Sequence, residues 1–110
     1  MAKPAGSVVS GTLDMLVLKT LALEPMHGFG IAQRIEQASR EVFRVNPGSL
    51  FAAFRRLERA GLVRSEWRTT ENGRRARYYI LSERGRKKLG QETVDWERQT
   101  AAISRILGLT

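Results

Sequence analysis

The chain has 110 residues, 19 of them lysine or arginine and 11 acidic, which gives a net charge of +8 at pH 7. A chain of this length fits one domain with one modest hydrophobic core. It contains no cysteine and a single histidine, His27, which excludes a disulfide framework and a cysteine or histidine metal cluster. We expect no cofactor and no enzymatic activity, because the sequence also lacks a Gly-rich phosphate loop and a paired carboxylate motif.

The excess positive charge is confined to one block of the sequence. Residues 55–88 hold 12 lysine and arginine residues against 4 acidic ones, whereas the rest of the chain holds 7 of each. A concentrated basic block predicts a polyanionic partner, and nucleic acid is the first to consider.

No apolar run in the sequence approaches the roughly 20 residues that a membrane-spanning helix needs. The first apolar stretch, residues 13–23, contains Asp14 and Lys19, which is not typical of a signal peptide. A lipid-binding helix would need leucine and aromatic anchors opposite a cationic face, whereas the basic block is predicted to be mostly loop and short strand. We therefore expect a cytoplasmic protein with no membrane partner.

Two helices are predicted after a flexible N-terminal arm at residues 1–10. The first ends at Pro25, and its buried face has helical spacing, at Leu13, Leu16, Val17 and Leu21. The second follows a turn around His27, a position where a histidine is usually structural. Its buried face consists of Ile31, Ile35 and Ala38.

The third predicted helix, residues 46–61, has an apolar back and a basic front. Asn46 caps it, Pro47 suits its first position and Gly61 ends it. Its buried stripe recurs at i, i+4 and i+7, at Leu50, Phe54 and Leu57. The opposite face is small and basic, and taken alone it would also suit a solvated surface helix. We expect it to enter a DNA major groove; its residues are Ser49, Ala52, Arg55, Arg56 and Arg59.

The hydrophobic period changes from 3.6 to 2 after residue 61, which predicts a β-hairpin. Residues 62–68 and 75–81 are its strands, and Asn72-Gly73 between them is a strong turn signal. The hairpin carries more arginine than a purely structural hairpin requires. We expect these arginines to bind DNA phosphates or to enter a minor groove; they are Arg68, Arg74, Arg75 and Arg77.

A last helix of some 25 residues is predicted after the cap residue Ser82. Residues spaced 4, 3, 4, 3 and 4 apart form a heptad seam along it, at Leu89, Thr93, Trp96, Thr100, Ile103 and Leu107. The helix would be about 38 Å long, too long to be covered by so small a domain. The seam is predicted to pack against a second copy of the chain, its own domain, or both. Trp96 is either an interface anchor or one wall of a small-molecule pocket.

The predicted order is three helices, two strands and a final helix, a mainly α fold with a small β-hairpin. This order indicates a winged helix-turn-helix DNA-binding domain at residues 11–81, followed by a C-terminal dimerisation helix at residues 82–110. Two other functions stay open. A winged helix also serves as a protein–protein interaction module, here for an acidic partner, and RNA binding would need an exposed aromatic such as Tyr79.

Four segments of the sequence carry a family resemblance: LVLKTLALEPMHGFGIAQRIE, VNPGSLFAAFRRLERAGLV, ENGRRARYYILSERGRKKL and WERQTAAISRIL. In this order they resemble the PadR-like transcriptional regulators, and in particular the short subfamily with a single C-terminal helix. The resemblance implies a homodimeric DNA-binding repressor whose subunits are joined by the last helix. Some members bind small hydrophobic molecules near the dimer interface, which would make such a molecule an effector here.

The third helix departs from the family pattern GSLYPAL at two positions. Phe51 stands where the family has a tyrosine, and Ala52 where it has a proline. Phe51 lacks a hydroxyl for a phosphate but keeps an apolar surface for a thymine methyl. Ser49 matches, and with the helix N-terminus it is expected to hold a phosphate. A dimer would place two reading helices about 34 Å apart, so the expected partner is double-stranded DNA with a near-palindromic operator.

Overall fold

A computed structural model of the chain describes Gly6–Ser7 and residues 12–109. The helices are α1 (Leu13–Leu21), α2 (Gly28–Ala38), α3 (Pro47–Arg59) and α4 (Glu83–Leu107). The strands are β1 (Gly6–Ser7), β2 (Met26–His27), β3 (Phe43–Arg44), β4 (Val63–Thr69) and β5 (Arg75–Leu81). This is the predicted mainly α fold with a winged helix-turn-helix and a long C-terminal helix. The predicted N-terminal arm lies outside the described residues, apart from β1.

The wing is the antiparallel hairpin of β4 and β5, which are paired from Val63 opposite Leu81 to Thr69 opposite Arg75. Gly73 takes a left-handed conformation in the turn, with φ of 77°, as the Asn-Gly signal predicts. A third strand, β2, pairs with the other edge of β5, so that β5 is central. The sequence predicted a turn at Met26–His27, and this prediction was wrong because these residues form a strand. A strand of two residues is too short to show alternating hydrophobicity in the sequence. β1 and β3 pair in parallel as a separate two-stranded sheet.

The core lies between the first three helices and the inner face of the sheet. Phe54, Leu18, Ile31 and Val17 are its largest fully buried side chains. The ring of Phe54 stacks on the ring of Tyr79 at 4.0 Å between centroids, which joins α3 to the central strand. Burial raises the pKa of the Tyr79 hydroxyl. Because Tyr79 is buried, it is not available to stack on a base, and the RNA-binding alternative loses the residue on which it depended.

Three helices begin with a side-chain cap, and those of α3 and α4 are the predicted ones, Asn46 and Ser82. Asn46 Oδ1 accepts a hydrogen bond from the Ser49 amide at 3.1 Å, and His27 Nδ1 accepts one from the Gly30 amide at 3.1 Å. His27 therefore has a structural role. Ser82 Oγ accepts from the Gly85 amide at 3.0 Å and donates to the Gly61 carbonyl at 2.7 Å. This last cap ties the start of α4 to the end of α3.

The long helix α4 is anchored at its first turns only. Its 25 residues match the predicted length, and Gly85 and Leu89 are its buried residues. It contacts α1, and most of its residues beyond Leu89 are exposed, in a molecule that measures 51 × 33 × 21 Å.

Gly85 sits where α4 presses most closely on the base of the wing. A β-carbon at this position would overlap the Leu62 carbonyl oxygen and approach Leu81 Cδ1 to 2.6 Å. Backbone atoms such as the Leu62 carbonyl cannot move aside as the end of a flexible side chain can. Only glycine therefore allows α4 to start at this distance from the chain segment between α3 and β4.

We expect Gly85→Ala to lower the free energy of unfolding by about 2 kcal/mol or more, because the methyl group forces α4 away from the wing. Gly90→Ala is the matched control, because a β-carbon at Gly90 meets no atom within 4 Å. The control should be neutral or stabilising by up to about 1 kcal/mol, the usual gain from alanine in a helix. Urea unfolding of both variants measures the difference, and equal stabilities would contradict the close approach.

Candidate nucleic-acid interface

The outward face of α3 is exposed and cationic. Ser49, Phe51, Arg55 and Arg59 are exposed, and Ala52 is half-buried between them. Within residues 12–109, neither the Arg55 nor the Arg59 guanidinium has a hydrogen bond or an ion pair. The opposite face of the same helix buries Leu50, Phe54 and Leu57, as the periodicity predicts. The helix therefore packs on the core, while Arg55 and Arg59 have no bonded partner among the described residues and are exposed to an external one.

Arg56 differs from its neighbour, because it is engaged by α1. Its Nη2 donates to Asp14 Oδ1 at 2.7 Å and its Nε donates to Asp14 Oδ2 at 3.3 Å, a bidentate pair. The hydrogen bonds and charge of Asp14 raise the pKa of Arg56. The structure thus brings together Arg55 and Arg59 but holds Arg56 between α3 and α1.

A groove of about 700 Å³ separates α3 from the wing. Its floor is the stacked pair of Phe54 and Tyr79, and arginines from both walls line it. Two exposed phenylalanines, Phe29 and Phe51, stand at one side. The full lining is His27, Gly28, Phe29, Phe51, Phe54, Arg55, Glu58, Arg59, Trp67, Ala76, Arg77 and Tyr79. The groove is therefore aromatic at its base and cationic at its walls.

A polar triangle, which we term the Glu58 clamp, connects α3 to both strands of the wing. It consists of Glu58, Ser65 and Arg77. Arg77 Nε donates to Ser65 Oγ at 2.8 Å, Ser65 Oγ donates to Glu58 Oε2 at 3.2 Å, and Arg77 Nη2 lies 3.5 Å from the same carboxylate oxygen. An acidic group on a basic face lowers its attraction for a polyanion. The position of Glu58 is nevertheless explained by these bonds, which fix the wing relative to α3.

The other wing arginines have separate environments. Arg68 Nε donates to Glu66 Oε1 at 2.6 Å, and this bond lowers the pKa of Glu66. The Arg75 guanidinium lies 5.6 Å from the centre of the Trp67 ring. Arg74 is exposed beside the turn, and within the described part of the chain its side chain has no bonded partner. Of the four predicted wing arginines, Arg74 and Arg75 thus stand at the tip, and Arg68 and Arg77 are braced by neighbours.

Sequence reasoning missed two residues of this face, Glu58 and Trp67. Alternation along β4 places Ser65 and Trp67 on one face, and that signal was present. It did not reveal whether that face turns towards the core or towards solvent. The partner of Glu58 was hidden because Arg77 is 19 residues further along the chain.

The predicted dimerisation seam runs along the exposed part of α4. Leu89 is buried against the domain, whereas Trp96, Ile103 and Leu107 are 40%, 52% and 65% exposed. Thr93 and Thr100 donate to carbonyls of their own helix, at 2.8 and 2.9 Å, so their hydroxyls are satisfied without a partner helix. A cavity of about 560 Å³ lies between α1 and α4. Its lining is Met15, Leu16, Lys19, Arg86, Leu89, Gly90, Thr93 and Trp96.

Among residues 12–109, no helix combines the length and the apolar character needed to cross a bilayer. The same part of the chain has no group of three or more histidine, aspartate or glutamate side chains placed to bind a metal ion.

Comparison with known proteins gives a consistent result. Residues 17–91 match the family described as "Transcriptional regulator PadR-like family". A transcriptional regulator of Mycobacterium tuberculosis is 36% identical over 76 residues, which cover 69% of this chain and 67% of that protein. The structure of a transcriptional regulator from Clostridium thermocellum superposes with a TM-score of 0.80 at 27% identity, over 88% of this chain and 94% of that one. A PadR family transcriptional regulator from Eggerthella lenta gives 0.76 at 27% identity, over 91% and 85%.

We expect Glu58→Ala to loosen the wing, because it removes the acceptor that both Ser65 and Arg77 share. Glu66→Ala is the matched control, since the ion pairs of Glu66 join it only to Arg64 and Arg68 of the same strand. Amide hydrogen exchange in β4 and β5 should become about fivefold faster in the first variant, which corresponds to roughly 1 kcal/mol for the lost bonds. The control should change much less. Equal exchange in both variants would mean that the clamp does not hold the wing.

Proposed function

The chain belongs to the PadR-like family of transcriptional regulators, whose members are not enzymes, and we propose that it acts as a homodimeric repressor. In this proposal the protein binds a near-palindromic operator in double-stranded DNA, in the cytoplasm, and blocks the promoter that it occupies. The observation that carries the proposal is a pair of exposed arginines, Arg55 and Arg59, on the outward face of a helix whose other face is buried in the core; among residues 12–109 their guanidinium groups have no bonded partner.

The proposed reading helix is α3, lying in the major groove. Arg55 is the residue proposed to read guanine, because a free guanidinium can bind O6 and N7 together. Arg59 lies one turn further along and is proposed to contact the backbone. Ser49 and the N-terminus of α3 would hold a phosphate. Phe51 and Ala52 would offer apolar contact to a thymine methyl.

Arg56 has a different part in the proposal. The sequence places it beside Arg55 on the face expected to enter the major groove, but its bidentate pair with Asp14 favours a positioning role between α3 and α1. Asp14 occupies two of the five guanidinium N–H donors of Arg56 and offsets its charge, so a phosphate would gain less from Arg56 than from Arg55.

The wing is proposed to contribute to the affinity for DNA rather than to sequence specificity. Arg74 and Arg75 at its tip would neutralise phosphates or enter a minor groove, and Arg68 and Arg77 would add charge from their braced positions. Contacts of this kind release counterions, so binding would weaken steeply as salt rises.

The homodimer is proposed to form along the heptad seam of α4. The exposed apolar residues of the seam support this, because a helix with such a face gains stability when a second copy covers it. A dimer related by two-fold symmetry would set its two α3 helices about 34 Å apart, one turn of DNA. A small hydrophobic effector is proposed to occupy the cavity between α1 and α4 beside Trp96. It would act by changing the separation of the two reading helices.

Arg55→Ala tests the reading helix, with Arg56→Ala as a control that removes the same charge one residue away. Duplexes selected from a random-sequence library by the wild type provide the ligand. Arg55→Ala should weaken binding to them by about tenfold or more, while binding to scrambled duplexes falls much less, because a base contact carries the sequence choice. Arg56→Ala should leave the ratio of selected to scrambled affinity nearly unchanged. The reverse pattern would move the reading role to Arg56, and no selectivity in the wild type would remove the proposed function.

Ile103→Glu tests the dimer, because it places a charge in the middle of the seam. Gln91→Glu adds the same charge outside the seam on an exposed position of α4 and serves as the control. Sedimentation equilibrium at micromolar concentration should give the mass of one protomer for the first variant and of two for the control. If both variants sediment as dimers, the interface lies elsewhere.

A further inference from the structure

Trp67 is the large apolar residue of the wing that the fold leaves exposed, with 59% of its surface accessible. Single exposed apolar side chains are common and by themselves require no explanation. The location of this one is what makes it informative, because its side chain lines the cationic groove opposite Arg55 and Arg59 of α3. The indole therefore faces the same space that the proposed DNA-reading arginines face.

The surrounding side chains hold the indole in this position without burying it. In the register of the hairpin, Trp67 is opposite Arg77 and Thr69 is opposite Arg75, so these four side chains share one face of the wing. Arg75 lies over the ring at 5.6 Å, within the range of a cation–π contact. Arg77 is fixed beside it by the Glu58 clamp. The ring is thus supported on the groove side of the wing.

An indole in a groove lined by arginines can make apolar packing contacts, which the guanidinium groups do not provide. Guanidinium groups neutralise phosphates, whereas an aromatic ring packs against deoxyribose and the faces or edges of bases. Apolar side chains inserted beside a minor groove are a recurring feature of proteins that bind there. The groove of about 700 Å³ between α3 and the wing gives the indole access to a strand lying between them.

We propose that Trp67 is a DNA-contacting residue, whose indole packs against the deoxyribose and base edges of the strand that crosses the groove between α3 and the wing. This inference rests on the proposed function. It assigns to Trp67 an apolar contribution to affinity that is independent of charge and is additional to the arginine contacts.

The salt dependence of binding separates such a contact from an electrostatic one. With a duplex selected by the wild type, Trp67→Ala should weaken binding about tenfold at every salt concentration, leaving the slope of log K against log salt unchanged. Arg74→Ala, at the tip of the same wing, should instead reduce the magnitude of that slope by about 1. Trp67→Phe should retain most of the affinity, because phenylalanine keeps an aromatic ring at position 67.

Tryptophan emission provides a second readout that does not depend on affinity. The other tryptophan, Trp96, lies on α4 and remains in a Trp67→Phe variant as a constant background. Saturating duplex should quench or shift the emission of the wild type, and this change should be absent in Trp67→Phe. Thermal unfolding of each variant checks that the wing is intact. If Trp67→Ala does not fold, the Phe variant and the emission change still decide the question.

The outcomes distinguish this inference from the function on which it rests. If the wild type binds selectively and Trp67→Ala binds equally well at every salt concentration, the inference is overturned and the proposed function stands. A changed slope in Trp67→Ala would also overturn it, because the loss would then be one of charge. If the wild type binds no duplex selectively, both fail together.

Discussion

The contact on which the rest of the structure depends is the stack of Phe54 on Tyr79. Phe54 belongs to the inner face of α3, and Tyr79 belongs to β5, the central strand of the three-stranded sheet. A stacked aromatic pair in a closely packed core leaves little freedom for α3 to tilt without moving the whole wing. Helix and wing therefore form one unit, and the groove between them has a fixed floor. The Glu58 clamp adds a polar connection further out, where the hydrophobic core no longer reaches.

This construction divides the arginines into two groups. Arg56, Arg68 and Arg77 are paired with carboxylates; the pair of Arg56 joins α3 to α1, that of Arg77 joins α3 to the wing, and that of Arg68 stays within β4. Arg55, Arg59 and Arg74 lie on the outer surface, with no bonded partner for their guanidinium groups in the described part of the chain. Exposed ion pairs contribute little to stability, so the bracing arginines act mainly on geometry. The formal charge of the basic block, residues 55–88, therefore overstates the number of cationic side chains that are available to bind a polyanion.

The sequence predicted the fold well because helical and strand periods report burial directly. The inner face of α3 and the two strands of the hairpin follow from spacing alone. The third strand at Met26–His27 was missed because two residues are too few to show an alternating pattern. The requirement for glycine at position 85 arises only because the start of α4 packs against the Leu62 carbonyl. The bond from Arg56 to Asp14 joins residues 42 apart in the chain. Contacts between elements of this kind depend on how the elements dock, which no local pattern contains.

If the protein is a dimer whose two α3 helices each read one half of an operator, its complex with DNA must be symmetric. The measurement is the affinity and stoichiometry of the protein on a duplex with an intact selected site, compared with the same duplex after one half-site has been scrambled. Two protomers should bind the intact site, and affinity should fall greatly when one half is scrambled, since each α3 reads one half. Equal, weak binding to both duplexes that disappears as salt rises would contradict it, and would leave only a cationic surface.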